Sequence, residues 1–316
     1  MFNPLKKTRQ DHQPLLRQPD RHANLLSSRV SRRAYIGFLL ATCIAKGFQQ
    51  PDRKDAPLTG DWVCPMDPDV RSDKPGICPR CGMKLVRHLP QRVEFPLELS
   101  HSPALLRPGQ LVTIMLRVLD PKTQKVVQNF QVVHEKFMHV FLVSQNLEFF
   151  AHDHPVQLPD GCFSLTTRLP YGGMYRLLAD YYPSGGLPQL AVDTLFLSGT
   201  SEPAKLTTCL TPSKGTNLTA SLRLEPEQPI AGLETKLLFS LNPTDGLEPY
   251  LGVAGHMLAA SADLIDLLHL HPFLVNKGDM QFNVIFPRPG MYRVWTQFQR
   301  LGVVNTVVFT IPVKAL

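Results

Sequence analysis

Short runs of alternating apolar and polar residues fill the chain from Arg92 to its C-terminus, and clusters of Gly, Pro, Asn and Asp separate them. Such alternation is typical of β-strands with one buried face, and regularly spaced turn signals are typical of sandwiches. The pattern predicts about eight strands from Arg92 to Ser198, one of them over Lys125–Val133, and the same order again from Asn217 to Val313. We therefore predict a mainly β fold of two tandem antiparallel β-sandwiches, immunoglobulin-like or cupredoxin-like, of ~100 residues each.

The two predicted sandwiches are internal repeats, because many residues of the first recur in the second at one constant offset, which is that between His139 and His256. The tetrapeptide Gly173–Arg176 returns as Gly290–Arg293, and its tyrosine is expected to anchor the preceding loop through its hydroxyl. In each repeat one histidine precedes a His-x-His-Pro motif at the same spacing. These histidines are His139, His152 and His154 in the first repeat and His256, His269 and His271 in the second.

A β-hairpin would bring the three histidines of each repeat together. With two-residue turns at Gln145–Asn146 and Ala262–Asp263, His139 lies opposite His152 in the first repeat, and Phe137 lies opposite His154. Residues two apart share a face of a strand, and opposed Cβ atoms are about 4.5–5.5 Å apart. Three imidazoles at that spacing could converge on one metal ion, so each triad is a candidate metal site.

The sequence favours a structural role for the histidines over metal binding, because the same strand faces are rich in apolar residues. These neighbours are Phe137, Phe141, Phe150, Leu258 and Leu267. A histidine among such neighbours is commonly a hydrogen-bonded core residue. Met138 and Met257 are expected to be core residues and not ligands. Cys162 and Cys209 have no counterparts in the other repeat, so a disulfide between them and two free thiols are both open.

Positive charge and an apolar run distinguish residues 1–45. Much of the formal net charge of +7 lies near the N-terminus, which favours a targeting tail and argues against nucleic-acid binding. Arg32-Arg33 followed by the apolar Ala34–Ala45 resembles a twin-arginine export signal, and this run is shorter than the about 20 residues of a membrane span. Leu40–Cys43 resembles a bacterial lipobox, in which Cys43 would be lipidated; a short uncleaved anchor is the alternative.

These features predict an exported protein of the bacterial periplasm or cell envelope, which meets the membrane only through its N-terminal segment. Residues 46–60 are predicted to be a linker.

Three cysteines define a small segment over residues 61–88, in which Cys78-x-x-Cys81-Gly follows Cys64. Two thiolates on one tight turn form a metal knuckle, and Cys64 supplies a third thiolate. A segment this short has almost no core of its own, so a bound metal would hold it together. A redox Cys-x-x-Cys pair or a disulfide is the alternative, although the βαβ context of a redox pair is missing.

This segment resembles the bacterial heavy-metal-binding domain, a module found in efflux adaptors and copper-type transport ATPases. The matching residues are Trp62, Cys64, Pro65, Met66, Pro68, Pro75, Gly76, Cys78, Pro79, Cys81, Gly82, Met83 and Leu85. The family's histidine is replaced by Asp67 here. The resemblance implies a site made of the three cysteines. Its fourth ligand is Asp67, an oxygen ligand that favours zinc, or Met66 or Met83, a sulfur ligand that favours copper(I), or the fourth position is open.

Together these observations predict a module at 61–88, sandwich repeats at 89–200 and 207–316, and a linker at 201–206. We expect a non-enzymatic protein that sequesters copper or zinc ions or hands them on, with metal-transport or efflux proteins as partners. An envelope partner-binding or adhesion protein is the first alternative and predicts an exposed apolar strand edge. A histidine–metal enzyme is the second and predicts a polar pocket at a triad.

Overall fold

A computed structural model of the chain describes residues 62–65, 70–79, 83–87, 93–276 and 278–316. Within these ranges the regular secondary structure consists of β-strands. No helix among the described residues is long and apolar enough to cross a membrane. The predicted export segment with Cys43, and the predicted linker at 46–60, lie outside the described residues.

Eleven strands form the cysteine module and the first repeat. Those of the module are β1 (Trp62–Val63), β2 (Arg71–Ser72) and β3 (Val86–Arg87), and those of the repeat are β4 (Leu97–Ser102), β5 (Leu111–Val118), β6 (Met138–Ser144), β7 (Phe150–Asp153), β8 (Val156–Gln157), β9 (Phe163–Arg168), β10 (Gly173–Tyr181) and β11 (Gln189–Leu197). The module has the strand order β2-β1-β3. The repeat consists of two antiparallel sheets, β11-β10-β6-β7 and β4-β5-β9-β8.

The second repeat has the same plan with a few short additions. Its strands are β12 (Ser213–Lys214), β13 (Thr219–Glu225), β14 (Glu234–Asn242), β15 (Leu247–Glu248), β16 (His256–Ser261), β17 (Leu267–Leu270), β18 (Leu274–Asn276), β19 (Asp279–Ile285), β20 (Gly290–Arg300) and β21 (Val303–Val313). One sheet contains β15, β20, β16 and β17, with β21 paired to β20, and the other has the order β12-β13-β14-β19-β18. The prediction of tandem β-sandwiches is confirmed.

Alternating burial explains why these segments form strands. On β5 and β14 every second residue is buried and points into the core of its own sandwich. Met138 and Met257 lie in these two cores, as expected from the sequence. The strand predicted over Lys125–Val133 is wrong, because this segment makes only isolated bridges, such as the one from Phe130 to Pro183.

The repeated tyrosine fixes the loop before β10 and β20. The Tyr175 hydroxyl accepts a hydrogen bond from the Tyr171 backbone N–H at 2.7 Å and donates one to the Tyr171 carbonyl at 3.2 Å. In the second repeat, the Tyr292 hydroxyl accepts from the Arg288 N–H at 3.4 Å and lies 3.0 Å from the Arg288 carbonyl oxygen, although its nearest acceptor is the Asp266 carboxylate at 2.7 Å. A tyrosine whose hydroxyl returns to the backbone a few residues upstream is a feature of immunoglobulin-like sandwiches. The structure therefore supports the anchoring role inferred from the sequence.

The two sandwiches pack face to face through β6 and β10 of the first repeat and β16 and β20 of the second. All seven residues of β6 are buried, because one face covers the core of its own sandwich and the other covers the second repeat. The shared cluster is apolar, and Phe150 stacks on Trp295 with ring centroids 5.1 Å apart. Full burial of a side chain such as Phe141 contributes about 1.5–3 kcal/mol.

The predicted hairpin register is wrong by two residues. The turns contain four residues and not two, since the Leu147 N–H donates to the Ser144 carbonyl at 2.8 Å and Leu147 has a φ of 56°. As a result Phe141, and not His139, pairs with His152. The second repeat shows the same shift, with Leu258 opposite His269. A shift of two positions keeps every side chain on its original face, so the histidines still share one face.

Candidate metal centre

The first triad brings three imidazole nitrogens to one point. His139 Nδ1 lies 3.1 Å from His152 Nε2 and 3.2 Å from His154 Nε2. His139 is on β6, His152 is on β7, and His154 directly follows β7. The three side chains lie on the sheet face that covers the second repeat. The structure thus brings together the residues that the sequence grouped, although metal binding itself stays a prediction.

The hydrogen bonds on the far side of the rings decide which nitrogens carry protons. His139 Nε2 is 3.0 Å from the Val133 carbonyl oxygen, which can only accept, so Nε2 carries the proton and Nδ1 keeps a lone pair. His152 Nδ1 is 2.8 Å from Gln297 Oε1. The Gln297 amide nitrogen donates to Thr306 Oγ1, which turns its oxygen towards His152. His152 Nε2 therefore also presents a lone pair to the centre of the triad.

The second triad has the same arrangement. His256 Nδ1 lies 3.2 Å from His271 Nε2 and 3.5 Å from His269 Nε2. His256 Nε2 donates to the Tyr250 carbonyl at 3.1 Å, and His269 Nδ1 lies 2.8 Å from Asp180 Oδ2. Each orienting contact has a counterpart at the equivalent position of the first repeat.

Each triad depends on the opposite repeat for one of its orienting contacts. Gln297 is in the second repeat but holds His152, and Asp180 is in the first repeat but holds His269. Asp180 and Gln297 are equivalent positions, since they pair across the sheet with His139 and His256 respectively. The two sites are thus related by approximate two-fold symmetry, in which each repeat provides one orienting residue for the triad of the other.

The spacing of the nitrogens matches the corners of a coordination polyhedron. A metal–nitrogen distance of about 2.0–2.1 Å in a tetrahedral site places the ligand nitrogens about 3.3–3.4 Å apart. The four nitrogen pairs with measured contacts span 3.1–3.5 Å. In each triad, two of the facing nitrogens carry lone pairs, which repel each other unless a proton or a cation lies between them. The geometry therefore suits a cation better than a hydrogen-bonded core cluster.

Burial lowers the pKa values of His139, His152, His154, His256 and His271, which favours their neutral form at physiological pH. Desolvation is the largest cause in each case, and it lowers the pKa of His139 to about 4, of His152 to about 2 and of His154 to about 3. The pKa values of His256 and His271 are also lowered, again mainly by burial. Neutral imidazole is the form that binds metal.

The six rings form one continuous cluster. The His152 and His256 rings, from different repeats, have centroids 5.2 Å apart, and those of His139 and His256 are 5.6 Å apart. Phe141 covers the cluster, with its ring 4.2 Å from His152 and 4.6 Å from His269. Two ions, one bound at each triad, would therefore lie close together in one buried cluster.

His134 is a seventh histidine, which the sequence reasoning missed. It lies outside the repeated motif, in the connection before β6, and its ring is 4.0 Å from that of His271. Its Nε2 is buried and has no hydrogen-bond partner among the described residues. Its φ of 48° is unusual for a residue other than glycine. His134 and Glu135 both have left-handed backbones, and no sequence pattern predicts such a pair.

In the cysteine module, the described ligand candidates lie close together. Cys64, Cys78 and Met83 are buried in one cluster with Leu85, and the Cys78 N–H donates to the Met83 carbonyl at 2.7 Å. Two buried thiols beside a thioether fit a thiophilic metal such as copper(I) or zinc. Met66, Asp67 and Cys81 lie outside the described residues.

The module packs on the first repeat through Val133 and Tyr182. Cys162 is a buried free cysteine and Cys209 an exposed one, so the disulfide alternative for this pair is wrong.

The comparison with family models decides the family of the sandwich region. A domain of unknown function, DUF8832, matches residues 93–194 and again residues 215–315, which together make up more than half of the chain. The chain belongs to the DUF8832 family. The two matches are the two repeats, and each DUF8832 copy contains one complete histidine triad.

The cysteine module matches a second model, the heavy metal binding domain, over residues 62–88. A copper-transporting P-type ATPase of Rhizobium leguminosarum bv. viciae is 54% identical over 37 residues, which are 12% of this chain and 4% of that protein. The chain thus shares only a small segment with that ATPase. The match supports metal binding by the module.

The fold resembles several solved structures at low identity. The Escherichia coli adhesin FdeC aligns with 69% of this chain and 63% of its own at 14% identity and a TM-score of 0.25. The fibronectin(III)-like modules of Clostridium thermocellum CbhA align with 69% of this chain and 95% of their own at 11% identity and a TM-score of 0.20. These likenesses concern sandwich architecture and carry no inference about function.

Proposed function

We propose that the protein is a non-enzymatic metal-binding protein of the bacterial cell envelope that sequesters copper or zinc ions or hands them on. The observation that carries the proposal is the convergence of imidazole lone pairs in both triads, with the opposite ring nitrogens committed to other acceptors. The N-terminal export-like segment supports the envelope location.

Copper and zinc are the metals that suit both parts of the chain. Imidazole is a good ligand for zinc and copper, and thiolate selects copper(I) and zinc among the common cellular metals. The thiolate ligands of the cysteine module are softer than the imidazole ligands of the triads. We therefore expect the module to prefer copper(I) and the triads to prefer zinc or copper(II). The chain would then have two kinds of metal site.

A physical connection between the module and the triads supports transfer within the chain. The Val133 side chain packs against the cluster that contains Cys64 and Cys78. The carbonyl of the same residue accepts the hydrogen bond that orients His139. A conformational change in the module on metal binding could therefore shift Val133 and, through its carbonyl, the orientation of His139. Metal-transport or efflux proteins are the partners we propose for release.

Metal analysis of the purified full chain tests the proposal. We expect zinc or copper in excess of the amount that the module binds, and a loss of this excess when all six triad histidines are changed to alanine. A Phe137→Ala variant is a control, since Phe137 directly precedes β6 and is exposed. An unchanged metal content in a folded six-alanine variant would refute the proposal.

An exposed apolar edge favours a second candidate, a partner-binding or adhesion protein. Leu190, Val192 and Phe196 are exposed along β11, which is the edge strand of its sheet. Apolar edge strands are places where another chain can add a strand. This candidate predicts no metal beyond that of the cysteine module, so the same metal analysis separates the two functions.

A further inference from the structure

We infer that the two triads are not equivalent: the second triad (His256, His269 and His271) binds its ion more tightly and retains it, and the first (His139, His152 and His154) is the exchanging site. The inference rests on the proposed function, because it concerns the metal sites of that function. Three differences between equivalent positions carry it, and all three favour the second triad.

The first difference is the acceptor that holds the middle histidine. His269 is held by the carboxylate of Asp180, whereas His152 is held by the neutral amide of Gln297. Both acceptors are buried, and both contacts are 2.8 Å long. A carboxylate makes the stronger, charge-assisted bond and raises the basicity of the imidazole that it contacts. It also places a negative charge beside the bound cation, where burial leaves that charge poorly screened by solvent.

The second difference is the residue at position 134 and its equivalent, Leu251. Both have left-handed backbones, with φ values of 48° and 54°, so the two connections follow the same path. His134 brings a buried and unpartnered Nε2 close to the second triad, with its ring 5.5 Å from that of His256 and 4.0 Å from that of His271. Leu251 has no ligand atom to offer the first triad. The His134 ring is 6.2 Å from that of His139, so it lies nearer to the second triad than to the first and is the candidate fourth nitrogen of the second site.

The third difference is a positive charge near the first triad. Lys136 pairs with Val133, whose carbonyl oxygen holds His139. In the second repeat the equivalent pair is Val253 and Tyr250, and the Tyr250 carbonyl oxygen holds His256. The Lys136 charge opposes a cation at the first triad, and Val253 carries no charge.

These differences give the sites different coordination. The second site has three histidines, a carboxylate that holds one of them and a neighbouring imidazole that could close the site around a retained ion. The first site has three histidines and no fourth protein ligand among the equivalents, which leaves a position for an incoming ligand. The module contacts the first repeat, so the open site is the one next to the thiols.

Two single-site chains provide the test and remove any repulsion between two bound ions. His152→Ala with His154→Ala leaves only the second site, and His269→Ala with His271→Ala leaves only the first. Zn²⁺ affinity of each full chain is measured by competition with a chelator, with the six-alanine variant as the baseline for the module. We expect the second-site chain to bind its additional Zn²⁺ at least about tenfold more tightly.

Substitutions at the positioning residues then assign the cause. In the second-site chain, Asp180→Asn should weaken Zn²⁺ binding by about 10–100-fold, and Asp180→Glu should restore part of the loss. In the first-site chain, Gln297→Glu should tighten binding, and Asp180→Asn should change it little. His134→Leu copies the residue of the other repeat. It should reduce the number of nitrogens coupled to Cu²⁺ in the electron paramagnetic resonance spectrum of the second-site chain, a change that a purely structural role would not produce.

Equal affinities in the two single-site chains, or an equal loss in both on Asp180→Asn, would overturn the inference and leave the proposed function intact. If neither folded single-site chain binds an ion beyond the six-alanine baseline, the proposed function itself fails. Circular dichroism of each metal-free variant establishes that it is folded, and the Glu variants keep the test available if an alanine variant does not fold.

Discussion

Replacing Gln297 by leucine should weaken a metal site to which Gln297 contributes no ligand and which belongs to the other repeat. Gln297 lies on β20 and pairs across the sheet with His256 of the second triad. Its side-chain oxygen nevertheless holds His152 of the first triad. Leucine has nearly the same size and removes the acceptor, so the substitution isolates the hydrogen bond.

The expected magnitude follows from the lost acceptor. The buried His152 N–H is left without a partner, which costs about 1–3 kcal/mol of folding free energy. His152 can then carry its proton on Nε2 instead of Nδ1. In that tautomer the nitrogen that faces the metal has no lone pair. Loss of such an outer contact lowers metal affinity by about 10–100-fold, and at 1.4 kcal/mol for each tenfold step this corresponds to about 1.4–2.8 kcal/mol.

Zn²⁺ affinity of the two single-site chains, each with and without Gln297→Leu, is the assay. The first-site chain should lose affinity and the second-site chain should keep it. Gln297→Glu is the control, because it restores an acceptor at the same place. A loss confined to the second-site chain would show that the cross-strand neighbour His256, and not His152, is the relevant contact, and would refute the crossed arrangement.

Three further predictions concern the anchoring tyrosines, the module and pH. Tyr175→Phe should cost about 1 kcal/mol in urea unfolding and Tyr292→Phe about 1.5–3 kcal/mol, because the single Tyr292 O–H donates to the charged Asp266 carboxylate and that of Tyr175 to a neutral carbonyl; equal losses would contradict this. Cys64→Ser and Cys78→Ser should abolish thiolate-to-metal charge-transfer absorption with Co²⁺ while the triads keep their ions, and a persistent band would count against the module. The pKa values of His139 and His152 fall from 6.5 to about 4 and about 2 on folding, so the unfolded chain takes up protons that the folded one does not. The unfolding free energy of the metal-free protein should therefore decrease as pH falls below about 6.5, and a flat urea-midpoint profile between pH 7 and 5 would contradict this.

The sequence was sufficient for the repeats, the fold class and the grouping of the histidines, because all three depend on periodicity. Strand residues alternate between faces, so His152 and His154 are on one face whatever the length of the turn. His139 shares that face as long as the register is wrong by an even number of residues. The turn itself was beyond the sequence. The Ser144 side chain accepts from the Phe149 N–H at 2.9 Å, and Leu147 adopts a left-handed conformation. The sequence of this turn lacks the Asn-Gly signature that would have identified its type.

The contacts between the repeats could not be predicted from periodicity. Asp180 and Gln297 differ in chemistry, and each pairs in its own sheet with a histidine that it does not hold. Only the docking of two sandwiches shows that Asp180 faces His269. His134 was missed for a similar reason, since its neighbour His271 is far away in sequence and belongs to the other repeat.

Duplication makes both triads possible, since a single sandwich could neither cover nor complete its own. The face that carries His139 also carries Phe141, and the second repeat covers both. Without that cover the imidazoles would be hydrated, and His152 would lose the acceptor that keeps its Nε2 unprotonated. An ion that binds only the docked form stabilises it by about 4.1 kcal/mol at a thousand times its dissociation constant. On the proposed function, metal binding and the packing of the two repeats would therefore form one equilibrium, in which each bound ion would stabilise the interface that forms its site.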